Sequence, residues 1–165
     1  MTKAETQAGP GSNALIFVLL TVAIDAMGFG IIIPVMPDLV REVSHTGYSG
    51  AALWGGYLSF SYAVMQFLFG PTVGNLSDRF GRRPILLISL AALAADFLIM
   101  AVAPSLLVLF LGRILAGIAA ATHSTAHAFV ADISARTDRA KNFGLIGAAF
   151  GAGFILGPLI GGIAG

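Results

Sequence analysis

The sequence predicts an all-α integral membrane protein with five transmembrane helices, and three observations carry that reading. Only 10% of its 165 residues are charged while 57% are hydrophobic, and the mean hydropathy is +0.90. A water-soluble domain of this size could hardly cover its surface with so few charges. Several apolar runs reach about 20 residues, the length at which a helix spans a bilayer. None of them alternates in segments of about ten residues, as the strands of a transmembrane barrel would.

The elements follow in order. Residues 1–12 are polar and rich in Gly, Pro and Thr, and read as a short disordered cytoplasmic tail. A partial N-terminal transmembrane bundle then occupies 13–165, with helices expected at about 13–37, 50–72, 84–103, 105–131 and 141–164. The first apolar run is longer than the roughly 7–15 residues of a signal-peptide core and contains Asp25, so it reads as a retained helix. The links at 38–49, 73–83 and 132–141 are short and polar, whereas the third and fourth helices meet around Pro104 without a charge.

Charge placement orients the bundle. Lys3, Arg79, Arg82, Arg83, Arg136, Arg139 and Lys141 fall on one side and Arg41 alone on the other. Basic residues favour the cytoplasmic side. The N-terminus is therefore expected in the cytoplasm of a multi-pass protein of the inner (plasma) membrane. After five crossings the chain would end outside, with "GPLIGGIAG" closing a helix. That ending reads as a truncated product or a fragment of a longer transporter. The absence of cysteine excludes disulfides and thiolate metal sites.

Asp25, Asp96 and Arg113 stand apart as ionisable residues inside apolar runs. At 1.5 Å per residue, Asp25 lies about 17 Å and Asp96 about 18 Å from the basic side, with Arg113 about 12 Å from the opposite face. All three approach the midplane, where a bare charge costs about 2.5–3.5 kcal/mol. They are expected to face one another or a wet cavity, as an Asp–Arg staple or as a proton or substrate site. A carboxyl in a partly dry pocket suits the uptake and release of a proton near neutral pH. A movement that changes its distance from an Arg would switch its protonation.

His123 and His127 are four residues apart near the basic end of the fourth helix. Two ligands without a third make a weak metal signal, and the pair reads as two polar side chains at the membrane boundary. No metal and no cofactor is expected. The last run, "GLIGAAFGAGFILGPLIGG", sets Gly147, Gly151, Gly153, Gly157, Gly161 and Gly162 on a ridge nearly free of side chains. A neighbouring helix can approach such a ridge closely. Pro158 removes a backbone donor and is expected to kink the helix.

Four stretches together resemble the motifs of the major facilitator superfamily, in order and spacing. They are "GNLSDRFGRRP" at 74–84, "DAMGFGIIIPVMP" from Asp25, Arg113 in helix four, and "GFILGPLIGG" from Gly153. With Asp78, Asp96 and "GRILAG" they look most like its tetracycline/proton antiporter group. The resemblance implies two six-helix halves around a central cavity, working by alternating access, of which this chain supplies five helices of an incomplete N-terminal half. It implies that Asp25 and Asp96 are cavity carboxylates for proton coupling and cation binding, aided by Arg113. It makes Gly74, Asp78, Arg79, Gly81, Arg82 and Arg83 a cytoplasmic gate motif that latches the two halves. Without the second half, Asp78 would lack its main contact. Gly153, Gly157, Pro158, Gly161 and Gly162 become the helix-five exporter motif. His123 and His127 depart from the small or uncharged polar residues usual in that group.

The function expected is proton-coupled efflux of a small, drug-like, tetracycline-like molecule, with lipid, substrate and protons as partners. A complete pathway would need the C-terminal half, so the chain by itself is expected to be inactive. One Arg against two Asp favours a neutral or cationic substrate. Two alternatives remain: a metabolite symporter or exchanger of the same fold, and a non-transporting truncated membrane protein. An enzyme is not expected. No nucleophile–base pair or phosphate-binding loop is present, and the Gly-rich runs lie inside apolar helices rather than between a strand and a helix. Nothing in the charge pattern points to nucleic acid.

Overall fold

A computed structural model describes residues 10–120 and 122–164; the expected tail up to residue 9, with Lys3, lies outside the described residues. Among those described there is no strand. Six helices follow one another: α1 Pro10–Ser44, α2 Tyr48–Phe80, α3 Arg82–Val102, α4 Leu106–Ala119, α5 Thr122–Ile133 and α6 Arg139–Ala164.

Two expected links are largely helical. α1 runs on through residues 38–44, and Arg41 explains part of this: it bonds Asp38 one turn back at 3.0 Å and lies 3.9 Å over the Tyr48 ring. His45 then takes a left-handed backbone, φ 52°, of the kind that closes helices. The link expected at 73–83 shrinks to a single residue, because α2 continues to Phe80 and α3 begins at Arg82. Gly81 makes that turn at φ 98°, where a side chain would be strained.

The helix expected over 105–131 is broken in two. α4 ends at Ala119, where the Ala120 N–H bonds the Gly117 carbonyl in a tightened last turn. Broken backbone at membrane depth is tolerated where side chains satisfy the freed groups. Here the Ala119 carbonyl accepts from Ser89 Oγ of α3 at 2.7 Å, and the Ala120 carbonyl from Gln66 Nε2 of α2 at 3.3 Å. Gly117 lets α2 approach, since a Cβ there would lie 2.6 Å from the Tyr62 carbonyl oxygen.

Four segments are long and apolar enough to cross a membrane: Asn13–Ser44, Arg82–Val102, Leu106–Ile133 and Arg139–Ile163. The fifth expected span falls in α2, which is long enough at 33 residues. Its apolar character is diluted by Ser59, Ser61, Tyr62 and Gln66, so by composition it is not among the four.

α1 packs most extensively on α6, α2 on α4, and α3 on α4 and α5. The α1–α6 contact is backbone against backbone. Gly153 meets Ala23, Gly157 meets Met27 and Gly30, and Gly161 meets Ile31, a ladder in steps of four residues on both helices. The expected six-glycine ridge is thus narrower. A Cβ on Gly147, Gly151 or Gly162 would meet nothing within 4 Å. α6 remains continuous through Pro158, whose ring lies against Gly30.

Two apolar cores bracket a polar middle. At the basic end Val18, Val22, Leu86, Ala126, Val130 and Ile146 join α1, α3, α5 and α6. At the other end Met36, Val40, Ala51, Leu58, Met100 and Leu109 join α1 to α4. Between them lie Asp25, Asp96, Arg113 and Thr122, all buried.

Candidate transport site

The middle layer is built by four helices, each contributing one or two polar side chains to an otherwise apolar bundle. Asp96 is 1% exposed and Arg113 4% exposed. They form a buried ion pair in which Arg113 Nε also donates to Asp96 Oδ1 at 3.3 Å. The guanidinium donates further to Met100 Sδ at 3.4 Å and lies 5.6 Å from the centre of the Tyr62 ring. Gly112 makes room for the pair, since a Cβ there would sit 2.9 Å from Asp96 Oδ1. Such a pair is secure only while both partners remain, because either charge left alone would be buried without compensation.

Asp25 is held separately. It is 7% exposed, accepts from Thr122 Oγ1 at 3.0 Å, and has His123 Nδ1 3.7 Å from its other oxygen. Thr122 and His123 reach it because α5 restarts there after the break. The three midplane ionisable residues therefore form two sets, not one. Tyr62 of α2 stands at the Arg113 side of this layer, with the guanidinium 5.6 Å from its ring centre.

Beside this layer opens a cleft of about 310 Å³ between α1, α2, α4 and α6, whose lining includes Phe29, Ile33, Tyr62, Gln66, Arg113 and Phe154. Its size is at the lower edge of sites that hold drug-sized molecules. Phe29 meets Tyr62 edge to face at 5.3 Å, which fixes an aromatic corner. Arg113 is the charged residue of the lining, and its partner Asp96 is buried outside the lining.

Sequence reasoning missed Tyr62, Gln66, Ser89 and Thr122. A signal for two of them existed: Ser59, Tyr62 and Gln66 are spaced by three and four residues, one polar face along α2. All three line the cleft.

The charged stretch between α2 and α3 is a separate cluster at the basic end. Arg82 ties three helices, pairing with Asp78 of α2 and with Asp132 of α5 at 3.1 Å, and bonding Ser77 Oγ at 2.8 Å. Asp78 therefore has a partner within the chain. Arg83 lies 5.2 Å over Phe17 of α1, and Arg79 5.5 Å over Phe80. The Gly74 carbonyl accepts from Ser77 Oγ, and a Cβ on Gly74 would meet nothing.

The chain as a whole has counterparts among known proteins. A sequence model described as Major Facilitator Superfamily matches residues 18–165. The chain belongs to the major facilitator superfamily. Members of this superfamily are membrane transport proteins, not enzymes.

Among relatives, the class C tetracycline resistance protein of Escherichia coli is 50% identical over 154 residues. The class G tetracycline resistance protein of Vibrio anguillarum is 47% identical over 153 residues. In both cases the match covers 93% of this chain and 38% of the relative. The crystal structure of the human organic anion transporter MFSD10 (TETRAN) superposes with a TM-score of 0.77 at 26% identity, over 93% of this chain and 42% of that one. This superfamily chain thus spans less than half the length of the proteins it matches, and corresponds to an N-terminal fragment of them.

Proposed function

We propose that the chain is the N-terminal part of a proton-coupled exporter of a small, tetracycline-like drug, working by alternating access across the inner membrane. The observation that carries the reading is the buried middle layer: Asp25 on its own hydroxyl and imidazole partners, and Asp96 with Arg113 at the wall of an aromatic cleft. Acids deep in a membrane are the usual carriers of coupled protons. Similarity to six classes of tetracycline resistance protein, at 41–50% identity, supports the substrate class.

In this reading Asp25 carries the coupled proton, and the Asp96–Arg113 pair opens when substrate enters the cleft. The Arg82 cluster is the cytoplasmic latch, and the glycine ladder with Pro158 is the pivot between α1 and α6. The N-terminus faces the cytoplasm, supported by the gathering of Arg79, Arg82, Arg83, Arg136, Arg139 and Lys141 at one end. A complete pathway requires the C-terminal half. One observation favours a second reading: Arg113 is the charged residue lining the cleft, which suits an organic anion.

The test joins this chain to the remainder of the class C relative and measures drug uptake into everted membrane vesicles under an imposed pH gradient. Tetracycline should accumulate in a gradient-dependent way and Asp25→Asn should abolish it. Accumulation of an organic anion instead of tetracycline would favour the second reading. Uptake unaffected by Asp25→Asn would refute the coupling role.

A further inference from the structure

His123 and His127 belong to none of the motifs, yet the fold gives His123 an acid to act on. Its Nδ1 stands 3.7 Å from Asp25 Oδ2, while Thr122 occupies the other carboxyl oxygen. Asp25 is shut away from solvent, whereas the His123 side chain is 40% exposed. One turn further along α5 comes His127, which is exposed, and α5 then ends at the basic face. Both rings are held against phenylalanines of α6, His123 edge to face on Phe150 at 4.9 Å and His127 on Phe143 at 5.5 Å. A buried acid, a half-open imidazole and an open imidazole thus lie in order towards one end of the bundle.

We propose that His123 is the group through which Asp25 exchanges its proton with water at the basic end, with His127 as the next station. The assignment rests on reading Asp25 as the coupling acid. In the outgoing step the O–H bond of Asp25 breaks and leaves its electron pair on the carboxylate. The lone pair on Nδ1 of neutral His123 forms the new N–H bond. The imidazolium then releases the Nε2 proton towards His127 and solvent. The Nδ1–H tautomer left behind returns to the starting one by giving its Nδ1 proton to water while Nε2 takes one from water. One proton moves and nothing else changes.

The 3.7 Å separation exceeds a hydrogen bond, so a small turn of the ring or one intervening water completes the path. Among the described residues, the titratable group paired with His123 is Asp25 from α1; α6 presents Phe150, and His127 stands one turn further along α5. Arg113 and Asp96 are engaged with each other on the α3–α4 side. A His123 that merely steadied Asp25 would need no free ring nitrogen on its far side, which separates the two roles experimentally.

The experiment uses the chain joined to the remainder of the class C relative, in everted vesicles, with rates scaled to the protein present in the membrane. His123→Gln should slow gradient-driven tetracycline uptake about tenfold and flatten its dependence on pH between about 6 and 8. His123→Gly should be slowed likewise and regain rate, saturably, with added imidazole, which fits the space left beside Phe150. Imidazole should do nothing for Asp25→Asn. A His123→Gln variant with the unmodified rate and pH profile overturns the relay while leaving the transport reading in place, provided Asp25→Asn is inactive. Failure of imidazole to rescue His123→Gly also overturns it. An active Asp25→Asn removes both the coupling assignment and the relay.

Discussion

Replacing Gly157 by Ala tests how the bundle is held together. The new methyl carbon would collide with the Met27 carbonyl oxygen and lie 2.6 Å from Gly30 Cα. Both obstacles are backbone of α1, so no side chain can rotate aside. Ordinary contact between carbon atoms begins near 3.5 Å, so α1 and α6 must part by on the order of 1 Å. Separation would loosen the neighbouring contacts at Gly153 and Gly161, because the ladder shares one helix axis. Overpacking of this kind costs about 1–3 kcal/mol, and the rigid partner places Gly157→Ala in the upper part of that range. Gly147→Ala is the control, since its methyl would meet nothing within 4 Å. The assay is thermal or denaturant unfolding of the purified chain in lipid nanodiscs. Gly157→Ala should lower the midpoint clearly and Gly147→Ala should not. Equal midpoints for the two variants would refute the backbone ladder.

Two further outcomes follow from the middle layer. Asp96→Asn or Arg113→Gln alone should destabilise by about 3–5 kcal/mol, because each leaves a buried charge unpaired. The double variant should lose clearly less than the two combined, and simple additivity in the same nanodisc assay would dissolve the pair. Ser89→Ala and Gln66→Ala should each cost about 1 kcal/mol by freeing a carbonyl at the α4–α5 break. Hydrogen exchange at residues 122–126 should rise in both, and unchanged protection would mean that these bonds do not hold the break.

Depth was readable from the sequence, and partnership was not. Counting residues along each apolar run places Asp25, Asp96 and Arg113 near one level, because rise per residue is a property of a single helix. Whether Arg113 meets Asp96 or Asp25 depends on how each helix is rotated about its axis, which several neighbours decide together. The glycine motif shows the same division. Its composition announces close packing, yet only Gly153, Gly157 and Gly161 point at α1. The break after Ala119 carries no local mark such as proline, and the groups that stabilise it, Ser89 and Gln66, come from other helices. The charged stretch from Gly74 was recognisable as a family motif. Its extent was not, because its polar residues lie on the continuing surface of α2 and on the first turn of α3, not in a loop.

The central claim is that drug and proton move against each other through Asp25. The most direct measurement reconstitutes the chain, joined to the remainder of the class C relative, in liposomes carrying an internal pH dye, and follows dye and tetracycline together after a drug gradient is imposed. The account predicts a proton flux opposite to the drug flux, lost in Asp25→Asn. Tetracycline crossing with no accompanying change in internal pH would contradict it.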